Sequence, residues 1–440
     1  MKIFTPILLL TILISSAVVQ AQNYELKIPK ENISEIMDIA YSPKGDQFAL
    51  LIGKTIFIND TKTGKNIKTL ESKFFGMSTR GSIKFSPDSK YLSLVDMFQS
   101  ISIEIDTGKE IEYEPTFYIY GTEFSPDSRT IAVSCHDNST KIYGLYSGML
   151  LDSIHGVIGE FSQDGKYLLI YDINNMDDPK PERGYKAYLW ELSSRKCVRE
   201  FIGHLNWINH SEFSSDGKWI LTASEDSTIR VWEVSTGKEK LVLKGHKNGV
   251  CHASFSSDGK NIVSSSDDLM VHIWSVETGK IKHVLNPKYG PGGHRFVKYS
   301  PDNKFIITHT QYEYQTSTQY TLLPKARVWN STTGELMHIL KGDSPQFVSE
   351  DKIVVWSEDK RLTFWNYITG EQIIKLYILD DDPDKWVYVS PSGIFDASKK
   401  AFEMMCDSNE GLEFIDISKT NELFWSKPTT GLWEKTFKVK

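Results

Sequence analysis

The sequence predicts an all-β fold, a propeller of four-stranded antiparallel blades, eight in number with seven as the alternative. Three observations carry the prediction. Between Gly203 and Gly279 lie two near-copies of one pattern, with Trp232 and Trp274 forty-two residues apart. Each copy holds four short runs rich in β-branched residues, parted by Ser, Asp and Gly, and their apolar–polar alternation makes one-sided strands. One turn then recurs along the chain: YSPKGD at Tyr41, FSPDSK at Phe85, FSPDSR at Phe124, FSQDGK at Phe161, FSSDGK at Phe213 and Phe255, YSPDNK at Tyr299, and a degenerate FVSEDK at Phe347. Its spacing of about forty residues is the length of one four-stranded blade.

Residues 1–21 stand before the fold. Lys2 opens them, Ile3 to Ile14 are apolar apart from Thr5, Pro6 and Thr11, and Val19-Gln20-Ala21 suits a signal peptidase. They read as an export signal, and the apolar run is short for a membrane-spanning helix, so no stable insertion is expected after cleavage. The propeller is expected over residues 22–380. Its first segment, YELKIPK at residues 24–30, should add a strand to the last blade and so close the ring without an exposed edge.

Unit one places Ile58, and unit two Ile103, at or near the position of Trp232 in unit five, so apolar packing alone must hold these blades. Unit three has Tyr143 there, with Asp137 six residues earlier. Unit four has Trp190 and a long insertion from Asp172 to Tyr188 between its second and third strands. Unit five sets the pattern with INHSEFS, WILTASE, TIRVWEV and EKLVLKG, and unit six repeats it. The SSDG and STGK elements between strands supply the side-chain bonds and positive φ of tight turns. Unit seven carries Trp329 and an insertion from His309 to Arg327; unit eight carries Trp365.

Residues 381–440 leave the repeat and are expected to pack as a tail on the propeller or on a partner. The acidic run from Asp380 to Asp384 lacks the spaced ligands and glycine of a calcium loop and reads as a solvated linker. KKAFEMMCDS reads as a helix, and the Phe, Trp, Leu and Ile beyond it should not be left in water.

Units five and six resemble the WD-repeat β-propeller family, and the resemblance extends more weakly over roughly residues 36–380. In that family a buried tetrad ties a blade together. Carried onto this chain, it implies His204, Ser224 or Thr222, Asp226 and Trp232 in unit five. In unit six it implies His246, Ser266 or Ser264, Asp268 and Trp274. A carboxylate bonded to His, His to hydroxyl and hydroxyl to indole would satisfy one another when buried. Their role is structural, although Ser, His and Asp together imitate a catalytic triad. The stretch WVYVSPSGIFDAS from Trp386 is similar to the connector of exported bacterial proteins in which such a propeller precedes a caspase-like peptidase. That likeness implies a propeller and docking tail without the peptidase.

A formal charge of −7, with lysines scattered among acids, excludes a nucleic-acid footprint. GxSxG, HExxH, a P-loop and a dinucleotide fingerprint are absent. His136, His252, His272, His283, His309 and His338 lie singly in the sequence, and Cys135, Cys197, Cys251 and Cys406 form no CxxC pair and read as structural. No catalytic residue, metal or cofactor is therefore expected. The two insertions and the loops between blades should share one face. Met176, Tyr185, Trp207, His294, Arg295, Tyr312, Tyr314 and Tyr320 are its candidate partner-binding residues, since Tyr and Trp anchor interfaces. The function expected is an exported, non-catalytic scaffold that binds a protein through this face and the tail. The alternatives are an enzyme with its site at the central channel, which would need converging carboxylates there, and a peptide- or glycan-sensing propeller.

Overall fold

The computed structural model describes residues 24–27, 36–61, 66–73, 82–96, 99–113, 119–172, 185–286, 294–310, 313–316, 319–321, 325–348, 351–356, 361–379, 382–389, 395–397 and 413–416. Among these residues the chain forms seven four-stranded sheets and one six-stranded sheet, all antiparallel, with two short two-stranded ribbons and no helix. The eight larger sheets are eight blades. Blades 1 to 7 span residues 36–71, 82–112, 119–155, 157–204, 208–244, 250–285 and 294–341, and blade 8 opens at Asp343.

The recurring turn explains why each blade begins alike. In blade 5, Ser214 Oγ donates to Asp216 Oδ1 at 2.6 Å, and accepts from the Trp219 amide at 3.0 Å. Asp216 Oδ1 also accepts from Lys218 N at 3.1 Å, and Gly217 supplies a φ of 66°. Ser and Asp thus satisfy the amides that the turn removes from the ladder. The same bonds recur from Ser86, Ser125, Ser162, Ser256 and Ser300.

Apolar side chains on both faces of each blade build a seam with the next one. Ala132, Ile142 and Ile154 of blade 3 meet Phe161, Leu168 and Ile170 of blade 4, and each later boundary repeats the arrangement. The seam that decides blade number joins Phe48, Leu50 and Phe57 of blade 1 to Val354, Phe364 and Leu376 of blade 8. It closes the ring at eight blades, so no unit packs outside a seven-bladed ring.

Three expectations are corrected. Tyr24–Lys27 does not complete the last blade; it pairs antiparallel with Glu413–Asp416. Each unit supplies all four strands of its own blade, so blade 8 has no vacancy to fill. Second, the blade 8 sheet continues past the boundary expected at residue 380. Asp382–Val389 and Phe395–Ala397 continue the blade 8 sheet beyond its fourth strand, Glu371–Leu379. Asp382 pairs with Leu379, so this part of the acidic run belongs to a sheet rather than to a linker. Third, Asn59 rather than Ile58 stands opposite Phe48, the place that Trp232 takes opposite Ile220 in blade 5. The helix expected over residues 399–408, Cys406 and the export signal lie outside the described residues. Cys135 is buried, but Cys197 is exposed and is not a core residue.

Candidate interaction face and central channel

The tetrads show what holds the loops between blades. In blade 5, Asp226 Oδ2 lies 2.8 Å from His204 Nδ1, and His204 Nε2 lies 2.7 Å from Thr222 Oγ1. The same hydroxyl accepts from Trp232 Nε1 at 2.9 Å. Blade 6 repeats this with Asp268, His246, Ser264 and Trp274 at 2.9, 2.8 and 2.8 Å. Burial opposes the charge on Asp226, but bonds from His204, Thr228 and Leu205 outweigh it and hold the carboxyl well below the usual carboxylate range. Gly203 precedes His204 because a Cβ there would meet the Arg230 guanidinium at 2.6 Å and the Trp232 ring at 3.2 Å.

Ser224 and Ser266 are not the tetrad hydroxyls. They share a strand face with Thr222 and Ser264, two residues on, and at that distance from the indole they serve the loop instead. Ser224 Oγ donates to Asn206 O at 3.0 Å, and Ser266 Oγ to Asn248 O at 3.1 Å. The Asp226 carboxylate also accepts from Leu205 N at 2.9 Å. Residues 205–207 are therefore pinned from beneath at two points. In blades 4 and 8 the hydroxyl's place is taken by Ile170 and Val355, and the buried Nε1 atoms of Trp190 and Trp365 have no hydrogen-bond partner among the described residues.

The pinned loop presents Leu205, which is 80 % exposed, and Ile202 on the strand before it is 60 % exposed. Trp207 is buried, at 8 %, with Tyr185 edge-on against it at 4.9 Å between ring centroids. Tyr185 opens the third strand of blade 4, so this contact joins the start of that strand to the inter-blade loop. Trp207 supports the face rather than displaying itself on it, and sequence reasoning passed over Leu205. Its signal was an apolar residue at the loop position where unit six has Lys247. His294 and Arg295 start the first strand of blade 7, and Tyr314 and Tyr320 pair in the ribbon of the blade 7 insertion. Met176 and Tyr312 lie outside the described residues.

The first strands of successive blades run beside one another at the ring centre. On these strands the residue just before the Phe or Tyr of each turn motif is Lys84, Glu123, Glu160, Glu212, Ser254 and Lys298 in blades 2 to 7. Lys84 Nζ pairs with Glu123 Oε2 at 2.8 Å. Two residues earlier on their strands, His210 and His252 stack with centroids 3.8 Å apart, and Phe296 lies 5.4 Å from His252. Burial lowers the His210 pKa to about 4 and holds His252 well below its usual value. A second stack joins His246 to His272 at 3.9 Å, so His252 and His272 do not stand alone. Glu123, Glu160 and Glu212 stand on consecutive first strands, and among the described residues no group of His, Cys, Asp and Glu is arranged to hold a metal ion.

The family match falls on the blades whose tetrads are complete. The family description "WD domain, G-beta repeat" matches residues 195–233 and 237–275. Apoptotic protease-activating factor 1 of Mus musculus is 49% identical over 47 residues, 11% of this chain and 4% of that protein. The WD repeat domain-containing protein 83 homolog of Dictyostelium discoideum is 27% identical over 131 residues, 29% of this chain and 38% of that protein. Notchless protein homolog of Arabidopsis thaliana is 37% identical over 65 residues, 13% of this chain and 14% of that protein. The matches thus span well under half the length of these relatives.

Proposed function

We propose, from the premise that this chain belongs to the WD-repeat β-propeller family, that it is an exported, non-catalytic scaffold binding a protein partner. One observation carries the reading. A loop fixed by Asp226 and Ser224 holds Leu205 out in water beside the Tyr185–Trp207 pair. An exposed apolar residue on an already ordered loop binds without the entropy cost of ordering it. We assign the insertion of blade 7 and the tail the same binding role. Export rests on the N-terminal segment, with the mature chain beginning at Gln22.

The test uses protein purified from the exported fraction, its first residue determined by N-terminal sequencing. Wild type should retain one partner that is weakened about tenfold by Leu205→Glu and by shortening residues 309–325, both at unchanged melting temperature. Undiminished binding by both variants would overturn the choice of face.

Glu123, Glu160 and Glu212 on consecutive first strands support a second reading, acid–base catalysis in the channel. It predicts turnover of an added substrate that Glu123→Gln abolishes while partner binding stays intact. Turnover unaffected by Glu123→Gln would count against it.

A further inference from the structure

We infer that Asn248 is a self-modifying residue: in the folded protein its side-chain amide is lost by ring closure with the Gly249 nitrogen, leaving aspartate and isoaspartate in the loop between blades 5 and 6. Asn248–Gly249 is the single Asn–Gly pair in the sequence. Gly249 N donates to Asn248 Oδ1 at 3.0 Å, so the attacking nitrogen already lies against the carboxamide whose carbon it must reach. Three bonds hold that pose. Lys247 N donates to Asp268 Oδ2 at 2.8 Å, Ser266 Oγ donates to Asn248 O at 3.1 Å, and Asp267 N donates to Gly249 O at 3.0 Å. Asn248 is exposed, so water reaches the carboxamide and ammonia escapes.

Glycine is imposed at position 249 by close approach, since a Cβ there would collide with the Glu225 carboxylate. The same lack of a Cβ leaves Gly249 N unshielded. The loop between blades 4 and 5 is an internal control. There Trp207 N donates to Asn206 Oδ1 at 2.9 Å and Ser224 Oγ to Asn206 O at 3.0 Å, so the pose recurs, but the Trp207 side chain crowds the nitrogen. The Asp–Gly pairs of the recurring turns lack the pose. Gly217 N and Gly259 N donate to Ser214 O and Ser256 O at 2.8 Å, which turns them away from the preceding carboxylates. At Asn248 the steps balance without a redox partner. Gly249 N gives its proton to solvent base and bonds to Asn248 Cγ; the Cγ–Nδ2 bond breaks and ammonia departs with a proton from water. Water then opens the cyclic imide at either carbonyl. Attack at Cγ leaves aspartate. Attack at the main-chain carbonyl leaves isoaspartate, in which the chain runs through Cγ and the former main-chain carbonyl becomes a free carboxylate.

The test incubates the purified, folded chain in mildly alkaline buffer at physiological temperature, with peptide mass mapping and enzymatic methylation of isoaspartate as readouts. Asn248 should convert at least about tenfold faster than Asn206. The rate should rise with pH, because the buried Gly249 N must first shed its proton. Added sulfate strengthens burial and suppresses unfolding, so it should leave the rate unchanged. A rate no greater than that of Asn206 overturns the inference. So does a rate that sulfate abolishes, because the reaction would then belong to the unfolded chain. Converted protein, separated by its added negative charge, should melt about 2 °C below the unconverted fraction, since isoaspartate takes the main-chain acceptor away from Ser266. Equal melting temperatures would show that joint intact and overturn this consequence.

Discussion

Asp226→Ala should lower stability by about 2–3 kcal/mol at neutral pH, read as a drop in the denaturation midpoint at unchanged m-value. The carboxylate meets four donors. It meets His204 Nδ1, Leu205 N and Thr228 N and Oγ1, and through His204 it fixes the hydroxyl that accepts the Trp232 indole. Removing it leaves buried His204 without its anionic partner and releases Leu205. Because the Asp226 carboxyl is held below its usual range, its contribution is complete above the unfolded value and is lost only as pH falls through the lower folded one. The Ala variant should therefore differ from wild type across neutral pH and converge with it only in strong acid. Loss of partner binding with an unchanged midpoint would mean that Asp226 acts at the surface and not as a joint.

Phe364→Ala should cost more, about 3–5 kcal/mol, since a fully buried aromatic leaves a cavity that its neighbours fill only in part. Its position sharpens the expectation. At the other seven boundaries the chain itself passes from one blade to the next; between blades 8 and 1, among the described residues, side chains make the seam. Loss of packing there can open the ring, so a broadened denaturant transition should accompany the lower midpoint. Truncating Ile229, in the seam between blades 5 and 6, should lower the midpoint without broadening. A drop below about 1 kcal/mol for Phe364→Ala would mean that another contact closes the ring. The Tyr24–Lys27 ribbon with Glu413–Asp416 would then be the first to remove.

The blades were legible in the sequence because their turn chemistry is local. Ser, Asp and Gly satisfy amides within five residues of themselves, so FSSDGK declares its geometry wherever it stands. The tetrad's Trp, His and Asp were carried over from the family resemblance, which left the hydroxyl open between two residues in each unit. Thr222 and Ser224 share a strand face, and only the cross-strand register, with Trp232 opposite Ile220, sets the indole within reach of Thr222. The channel was hidden by distance: Glu123, Glu160 and Glu212 are separated by whole blades, although each directly precedes the Phe of its motif. Trp207 was misjudged because an aromatic in a loop looks exposed until its neighbour is known, and Tyr185 lies on another blade.

Because every unit finishes its own sheet before the chain moves on, no blade borrows a strand from another. A unit could therefore be copied or deleted whole, and every remaining sheet would keep its full complement of strands. What limits such a change is curvature, since the first and last units must still meet face to face. In this architecture the number of blades can drift through gene duplication, while the hydrogen-bonded ladders are passed on intact.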